Sequence, residues 1–518
     1  MLAILQILLG IIVYLMVIIA VGLWYARKSD AGIEAYFIGK RRLGPWVAAM
    51  SAEASDMSGW LLMGLPGVAY FSGSGEAFWT AAGLFAGTWI TWQVVAKRLR
   101  NYSHIADNAI TLPEFFSKRF HDTKNVLKTF AAIITLVFFS LYIASQFVVF
   151  GKLFAYVFNA ETYYATMVLF CAAVVMTYTA LGGFLAVCMT HLIQGVLMFV
   201  ALVTVLAFGF AFSGGFGGIA GRLGGIPRFL DIFGVATPVM RNGVQAVADG
   251  APQFGAGANY SLISVFSCLA WGLGYFGMPH VLVRFMAIEN ASKIRKSKYI
   301  AVIWCFVCLF AAVAIGLIGR TYFPGLLRTA SDAESVFLHV TSAFFPPLIA
   351  GFALSGILAA SMSSSDSYML AVSSSLANDL FKSFFEKARE SAVMWVARLA
   401  IVLVTIFGTI IALSGSQSIF QIVSYAWAGF GAAFGPLVLF SLFWKRTTLA
   451  GAAAGMASGG VMVVIWKNVI SRLGGAFAIY ELLPSFMLSC AVIFVVSLLT
   501  KAPSAEIQRE FDAVKAAR

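Results

Sequence analysis

The sequence predicts an all-α polytopic membrane protein with 13 transmembrane helices. Three observations predict this fold class. Of the 518 residues, 61% are hydrophobic and only 11% are charged, whereas a soluble domain is nearer half apolar and a quarter charged. Apolar stretches of about 20 residues, the length that crosses a bilayer, recur along the whole chain. The Lys and Arg residues are concentrated in the short connections between these stretches, where they orient a membrane protein.

The apolar stretches give the boundaries of the predicted spans. They are 2–26, 46–71, 76–96, 126–158, 162–181, 183–212, 258–288, 299–323, 345–379, 392–414, 417–443, 448–470 and 477–499. We interpret residues 1–500 as a single transmembrane domain, with an additional N-terminal helix at 2–26 and accessory helices at 448–499. No small-residue cleavage site follows the first stretch, so we expect it to be a retained helix.

The charge of the connections predicts the orientation. Alternate connections, beginning after the first span, hold 25 Lys and Arg residues, and the opposite set holds 8. The positive-inside rule then places the N-terminus outside and the C-terminus in the cytoplasm. The net charge of +13 is distributed over these connections. No long basic arm or aromatic–basic platform accompanies it, so nucleic-acid binding is not predicted.

Two segments outside the spans have a recognisable composition. The longest connection, 213–257, is rich in Gly, Asn and Gln and lies on the predicted outer side; the sequence leaves open whether it is an ordered or a mobile lid. The tail at 501–518 has the pattern of a short cytoplasmic amphipathic helix.

The cysteines and the absence of catalytic patterns exclude several functions. All six cysteines fall within apolar stretches, which favours buried thiols. Cys305 and Cys308 have CxxC spacing, but no second ligand pair accompanies them, so we predict no metal centre. No nucleophile–base constellation appears either. The sequence therefore predicts neither an enzyme nor a cofactor.

The second span contains the main functional signal. Its segment 51–67 carries two carboxylates, three serines and two glycines before ending at Pro66 and Gly67. A charged side chain at this depth is costly unless it lines a cavity or pairs with a cation. A broken helix survives there only where protein or a watery cavity covers it. Asp56 therefore indicates a binding site for something polar inside the membrane.

The seventh span contains a second glycine-rich interruption. Gly272, Gly274 and Gly277 precede Pro279, five spans after the Asp56 segment. Paired broken helices in corresponding positions point to an inverted-repeat transporter with a site at mid-membrane. The glycines alone are equally consistent with close helix packing. The five-span offset favours transport.

The ninth span has a polar face. At 100° per residue, Ala360, Ser363, Ser364, Asp366 and Ser367 fall within an arc of about 160°. Small hard cations prefer carbonyl, hydroxyl and carboxylate oxygens, and carbonyls freed near Asp56 would complete such a set. Serines that bond the carbonyls of their own helix are the alternative, but this does not explain Asp366.

Several runs together resemble one family. The runs are 51–67, 109–116, 182–187, 271–280, 424–436 and 501–504. They are similar to the sodium:solute symporter family over nearly the whole chain, and two of them, around Asp56 and Trp271, are specific to its bacterial proline-transporting branch. The resemblance implies a five-plus-five inverted-repeat core, with one repeat at about 46–212 and the other at about 258–443.

The resemblance also implies residue roles. Sodium would be held by the carbonyls of Ala54, Met57 and Ala360 and by the hydroxyls of Ser363 and Ser364. Where the family often has threonine, this chain has Ser364, which keeps the hydroxyl. Asp56 would lie close by and be needed for coupling.

A second set of residues would form the substrate site. L-proline would lie beside Ser58 and Gly59, with a pocket wall of Tyr142, Trp271, Tyr275 and Pro279. An aromatic enclosure suits an apolar ring that carries an ammonium group, and backbone N–H groups at a helix break suit a carboxylate. Ordinary core packing is the alternative for each aromatic residue.

One departure from the family concerns the sixth and ninth spans. Many members have an aspartate where this chain has His191 and an uncharged residue where it has Asp366; the family's aspartate helps form an additional sodium site in some members. We predict a contact between His191 and Asp366 that replaces this extra site or tunes the main one. A histidine could also carry protons, and a purely structural polar pair remains an alternative.

The leading hypothesis is an importer of L-proline driven by sodium through alternating access, in the bacterial cytoplasmic (inner) membrane. Its expected partners are L-proline, Na⁺ and the lipid bilayer, with no obligate protein partner evident. Proton-coupled or mixed coupling, and sodium symport of another small amino or organic acid, keep the same fold. A membrane sensor that binds proline without moving it is an alternative from a different class.

Overall fold

The computed structural model describes residues 1–28, 32–248, 250–414 and 418–516. It consists mainly of α-helices. The first helices are α1 (Leu2–Lys28), α2 (Ile33–Ile38), α3 (Pro45–Gly59), α4 (Leu65–Ser72), α5 (Ser74–Ile90), α6 (Ala96–Ile105), α7 (Leu112–Arg119), α8 (Val126–Phe158), α9 (Tyr163–Ser213), α10 (Gly215–Leu223) and α11 (Leu262–Leu269). The others are α12 (Pro279–Ala287), α13 (Ile294–Tyr322), α14 (Ala330–Ala333), α15 (Val336–Phe344), α16 (Pro347–Ser374), α17 (Lys382–Phe384), α18 (Glu390–Leu413), α19 (Ile419–Phe443), α20 (Leu449–Asn468), α21 (Leu482–Leu499) and α22 (Ala505–Ala516).

Within the part of the chain that the structure describes, ten helices are long and apolar enough to cross a membrane. The count is eleven if the bent pair Leu262–Phe276 and Pro279–Ala287 forms one span. The predicted spans 46–71 and 76–96 are also helical, but π-helical stretches at Trp60–Gly64 and Thr91–Val95 divide each of them into shorter helices.

Apart from the π-helical stretches, three breaks in the backbone stand out among the described helices. In α3, Ser58 has φ 52° and ψ −176°, and in α9, Gly183 has φ 65°. The third follows the 3₁₀ segment Ala270–Phe276, where Met278 is extended before Pro279 at the start of α12. Proline disfavours helical geometry in the residue that precedes it, so this 45° bend has a local cause.

Helix α16 lies at the centre of the molecule. It packs against α1, α3, α8 and α9, and most of its residues are buried. Its Gly, Ala and Ser residues allow this close approach. A Cβ atom on Gly351 would lie 2.4 Å from the carbonyl oxygen of Ile7, for example, so α1 and α16 are in backbone contact.

The connection 213–257, which the sequence left open as ordered or mobile, carries secondary structure. It contains α10 and β1 (Gly234–Val235), β2 (Met240–Arg241), β3 (Val244–Gln245), β4 (Val247–Ala248) and β5 (Ala251–Pro252), and β6 (Ala258–Asn259) follows it. These short strands form three antiparallel pairs, β1–β6, β2–β3 and β4–β5, with Gly234 opposite Asn259. The Trp79 indole N–H donates to the Ile232 carbonyl, which ties the connection to α5.

The C-terminal tail forms the amphipathic helix α22. Ile507, Phe511 and Val514 are its buried residues. Asp512 pairs with Lys445 at 2.5 Å on the polar side. The last two residues of the predicted tail, 517–518, lie outside the described residues.

Candidate ion and substrate site

The site is built on the interruption in α3. The positive φ of Ser58 turns the backbone out of the helix. The Ser58 hydroxyl accepts a hydrogen bond from the Trp60 N–H at 3.2 Å, and the Gly59 N–H donates to Gln146 Oε1 at 3.0 Å. A Cβ atom on Gly59 would lie 2.6 Å from Ser361 Oγ. Val149 of α8 is as close, at 2.7 Å, so any larger residue here would require side chains of α16 and α8 to shift.

Oxygen atoms of α3 and α16 meet next to this interruption. The Ser363 hydroxyl lies 2.7 Å from the Ala54 carbonyl oxygen and 3.0 Å from the Ala360 carbonyl oxygen. The Ser364 hydroxyl lies 2.8 Å from the Ser55 carbonyl oxygen. All these residues are buried. Carbonyl and hydroxyl oxygens are the ligands that hard cations prefer, so the oxygen atoms at the contact between α3 and α16 suit Na⁺.

Not every predicted sodium ligand belongs to this group of contacts. Ala54, Ala360 and Ser363 lie together, and Ser364 contacts the neighbouring carbonyl of Ser55. The Met57 carbonyl instead accepts the Trp60 N–H at the end of α3. The Tyr368 hydroxyl donates to the same Ser55 carbonyl at 3.2 Å, a contact that the sequence did not indicate.

Asp56 faces a histidine that the sequence analysis did not single out. Its Oδ1 atom lies 3.5 Å from Nε2 of His280, the second residue of α12. Among the described residues, neither this carboxylate oxygen nor the two His280 ring nitrogens have a hydrogen-bond partner. Buried polar atoms without partners are costly and mark functional sites. A polar residue directly after the break within the seventh span was the available signal.

The predicted contact between His191 and Asp366 is present. His191 Nε2 lies 2.9 Å from Asp366 Oδ1, and both side chains are fully buried. The other carboxylate oxygen accepts a hydrogen bond from the Tyr178 hydroxyl at 2.7 Å. Sequence reasoning missed Arg284, which contacts the opposite ring nitrogen of His191 at 3.4 Å. An arginine inside the apolar stretch 258–288 was the signal for it.

Aromatic rings cover the interruption on one side. The ring of Trp60 lies 5.2 Å from that of Trp271 and 5.8 Å from that of Phe420, and Tyr480 stacks on Trp271 at 5.2 Å. Trp60 follows Ser58 and Gly59 in the chain, so this aromatic cluster lies next to the interruption. Of this cluster, only Trp271 was predicted to contact substrate.

The other predicted substrate residues lie next to residues of the same site, since the Tyr368 hydroxyl donates to the Ser55 carbonyl and the Trp427 indole N–H donates to the Trp271 carbonyl. The ring of Tyr142 lies 4.5 Å from that of Tyr368, and Tyr275 meets Trp427 edge-on at 5.1 Å. Pro279 lines a small cavity at the beginning of α12. The walls of this cavity also include Thr111, Phe184, His280, Arg284 and Ser367.

A buried carboxylate lies next to the aromatic cluster and connects three helical segments. Glu334 Oε1 accepts hydrogen bonds from the Ser418 hydroxyl at 2.6 Å and from the Phe420 N–H at 2.9 Å. Its other oxygen pairs with Lys152 at 2.6 Å. Glu334 thus ties the connection between α13 and α16 to α8 and to the beginning of α19, next to Phe420.

Comparisons with known proteins show which family the chain belongs to. A profile of the sodium:solute symporter family matches residues 36–459. The osmoregulated proline transporter OpuE of Bacillus subtilis (strain 168) is 39% identical over 508 residues, with 98% of this chain and 97% of the relative covered. A sodium/proline symporter of Staphylococcus aureus (strain JH9) is 38% identical over 512 residues, with 98% and 95% covered.

A solved structure shares the fold. It is the substrate-bound, outward-open state of a Na⁺-coupled sialic acid symporter, with a TM-score of 0.75, 18% identity, and 96% of this chain and 99% of that chain covered. At this identity the likeness shows the fold alone. The family match and the relatives confirm the resemblance drawn from the sequence: the chain belongs to the sodium:solute symporter family.

Proposed function

We propose that this protein imports L-proline together with sodium by alternating access. The observation that carries the proposal is the 2.7 Å contact between the Ser363 hydroxyl and the Ala54 carbonyl. In this contact, oxygen atoms of the interrupted helix α3 and of the neighbouring helix α16 lie next to each other in the protein interior. The relatives of this protein are named proline transporters. A cation bound between the two helices would fasten α3 to α16 and favour the state that accepts substrate.

The proposed sodium ligands are the carbonyls of Ala54, Met57 and Ala360 and the hydroxyls of Ser363 and Ser364. The Met57 carbonyl would join the set by giving up the Trp60 N–H that it now accepts. Asp56, whose Oδ1 lacks a hydrogen-bond partner among the described residues, supplies negative charge close to the cation. The contribution of Asp56 is therefore electrostatic coupling rather than structural pairing.

L-proline is proposed to bind on the aromatic side of the interruption. Its carboxylate is recognised by backbone N–H groups around Ser58 and Gly59, and the Gly59 N–H then gives up its bond to Gln146 Oε1. Its ring and ammonium group face the indoles of Trp271 and Trp60. Tyr142, Tyr275 and Pro279 remain proposed pocket residues. Tyr142 reaches the site through Tyr368, and Tyr275 reaches it through Trp427.

The architecture belongs to the same proposal. It has thirteen spans, with the N-terminus outside and the C-terminus in the cytoplasm of a bacterium, and a core of two inverted five-helix repeats at about 46–212 and 258–443. Helix is present within each predicted span, and the first and second repeats are interrupted near Ser58 and Met278. Matching interruptions of this kind support the repeat.

A matched pair of serines tests the sodium site. Ser363 donates to the carbonyl of α3, whereas Ser365, on the same helix and equally buried, donates to the Ser361 carbonyl of its own helix at 2.7 Å. In proteoliposomes, we expect Ser363→Ala to raise the sodium concentration for half-maximal proline uptake by about tenfold or more, because one hard ligand is lost. Ser365→Ala should leave it nearly unchanged.

The uptake assay itself tests the function. Radiolabelled proline should accumulate when a sodium gradient is imposed and should not accumulate without one. Proline uptake that does not depend on sodium would contradict the proposed site. So would equal changes of the half-maximal sodium concentration in the two serine variants.

Proton coupling is the second candidate, because His191 contacts Asp366 beside the sodium site. The variant His191→Asn keeps a polar side chain and removes the titratable ring. If His191 takes part in coupling, this variant changes the dependence of proline uptake on sodium and pH gradients. Unchanged ion dependence would leave the pair with a structural role.

A further inference from the structure

We infer that Gln146 is a further substrate-binding residue, whose side-chain amide donates a hydrogen bond to the carboxylate of L-proline. In the structure its Oε1 atom accepts the Gly59 N–H, which is one of the groups proposed to hold that carboxylate. When the substrate takes this N–H, the amide rotates so that its NH₂ group faces the carboxylate. The role of Gln146 rests on the proposed function, because it requires L-proline as the substrate.

Gln146 lies on the face of α8 that packs against the interruption in α3. It is fully buried and follows Tyr142 by four residues, so the two side chains share one face of the helix. Val149, three residues further along, is on the same side, and a Cβ atom on Gly59 would lie 2.7 Å from it. The amide of Gln146 therefore lies directly beside the backbone of the interrupted helix.

Two hydrogen bonds assign the orientation of this amide. The Gly59 N–H donates to Oε1 at 3.0 Å, and Nε2 donates to the Ser145 hydroxyl oxygen at 2.8 Å. The Ser145 hydroxyl itself donates to the Tyr142 carbonyl at 2.6 Å, so towards Gln146 it acts as an acceptor. A backbone N–H must face the amide oxygen, and an accepting hydroxyl must face the amide nitrogen. Both neighbours therefore assign the same orientation.

A carboxylate that binds at Gly59 conflicts with this orientation. The Gly59 N–H makes a stronger hydrogen bond to a carboxylate oxygen than to an amide oxygen. If Oε1 of Gln146 kept its place, it would lie against a negatively charged oxygen with no proton between the two atoms. A buried acceptor that has lost its donor is also costly. Rotation of the amide removes this conflict and provides a second charge-assisted hydrogen bond to the carboxylate.

The Ser145 hydroxyl can accompany this rotation, because a hydroxyl both donates and accepts. In the structure it accepts from Nε2 of Gln146 and donates to the Tyr142 carbonyl. After the rotation Oε1 faces the hydroxyl, which turns its proton towards Oε1. The Tyr142 carbonyl lies inside α8 and keeps its helical hydrogen bond. Ser145 therefore remains a partner of the amide in both orientations.

A pair of ligands that differ only in the carboxylate tests this role. L-Prolinamide has the ring and the ammonium group of L-proline, but an uncharged amide replaces the carboxylate. The dissociation constants of both ligands are measured on the purified protein, from the concentration dependence of the unfolding temperature at the same pH and sodium concentration. Their ratio gives the preference for the carboxylate without any transport step.

Gln146→Met removes both hydrogen-bonding groups and keeps a side chain of similar length. We expect it to lower the preference for L-proline over L-prolinamide by about tenfold, because hydrogen bonds to charged groups are stronger than those to neutral groups. Gln194→Met is the matched control. Gln194 is equally buried, but its Nε2 donates to the Tyr14 hydroxyl of α1 at 3.0 Å. This control should keep the preference of the unmodified protein.

Gln146→Glu is a second variant, which keeps the shape of the side chain. The introduced carboxylate accepts the Gly59 N–H but cannot donate. It therefore repels the carboxylate of L-proline and accepts from the NH₂ group of L-prolinamide. We expect the preference for L-proline to fall further in this variant than in Gln146→Met.

Three results would overturn the inference. An equal ratio in the unmodified protein and in both Gln146 variants would leave the amide without a part in substrate recognition. Tighter binding of L-proline to Gln146→Met would show that Gln146 only competes for the Gly59 N–H. In both cases the unmodified protein still binds L-proline, so the proposed function stands. An unmodified protein that neither ligand stabilises would overturn the proposed function as well.

Discussion

Ser58 holds a backbone conformation that side chains rarely adopt. Its φ of 52° and ψ of −176° lie in a region that is populated essentially by glycine. The residue is nevertheless a serine, and its hydroxyl accepts the Trp60 N–H. Backbone strain of this kind is concentrated at functional sites, where the surrounding structure enforces it. The hydroxyl therefore has a role that glycine could not fill.

This strain can be measured with two variants at the same position. Ser58→Ala and Ser58→Gly both remove the hydroxyl, but only glycine relieves the positive φ. We expect Ser58→Gly to be more stable than Ser58→Ala by about 1 kcal/mol or more, seen as a higher unfolding temperature of the purified protein without substrate. Equal stabilities would mean that the backbone at this position is not strained.

At the residue scale, some parts of the site could be predicted and others could not. Asp56, Ser363 and Ser364 are polar residues within apolar spans, so their cost in the membrane indicates function before any contact is known. The partners Arg284 and Tyr178 could not be assigned in this way. Helical periodicity gives the face of the helix on which a residue lies. It does not show which of the other helices packs against that face.

At the element scale, the glycines of the seventh span have a packing role. A Cβ atom on Gly272 would lie 2.2 Å from the Gly83 carbonyl oxygen of α5, and one on Gly277 would lie 2.4 Å from the Phe430 carbonyl oxygen of α19. The sequence left close packing and helix interruption as alternatives for these glycines. In the structure both are present, since the same segment is 3₁₀-helical and precedes the bend at Met278.

An alanine at Gly272 tests this packing. The opposing atoms are backbone and cannot rotate away, so we expect Gly272→Ala to destabilise the protein by about 2 kcal/mol or more. Gly460→Ala is the matched control, because the nearest atom to its Cβ, in Ile134, is at an ordinary 3.7 Å. That substitution should be neutral or slightly stabilising. Thermal unfolding in detergent distinguishes the two, and similar losses would argue against the close contact.

At the scale of the whole molecule, the sequence predicted the helical membrane architecture because burial in lipid demands long apolar helices. The number of spans is harder to predict from the sequence than the fold class. The segments that carry the site are the least apolar and contain the interruptions, as the π-helical stretch Trp60–Gly64 illustrates. The short strands between α10 and α11 were not predicted, because two-residue strands such as Gly234–Val235 leave no alternating hydrophobic pattern.

The charge that moves in one transport cycle sets the maximum ratio of proline concentrations across the membrane. Proline is a zwitterion without net charge, so transport with one sodium ion moves one net charge. At 100 mV, inside negative, with equal sodium on both sides, this contributes about 2.3 kcal/mol, or nearly fiftyfold accumulation. A second sodium would raise the limit to the order of 2,000-fold. We expect proteoliposomes with a potassium diffusion potential to stop near fiftyfold. Vesicles without a potential should reach equal concentrations, and accumulation far above fiftyfold would contradict transport of a single sodium ion.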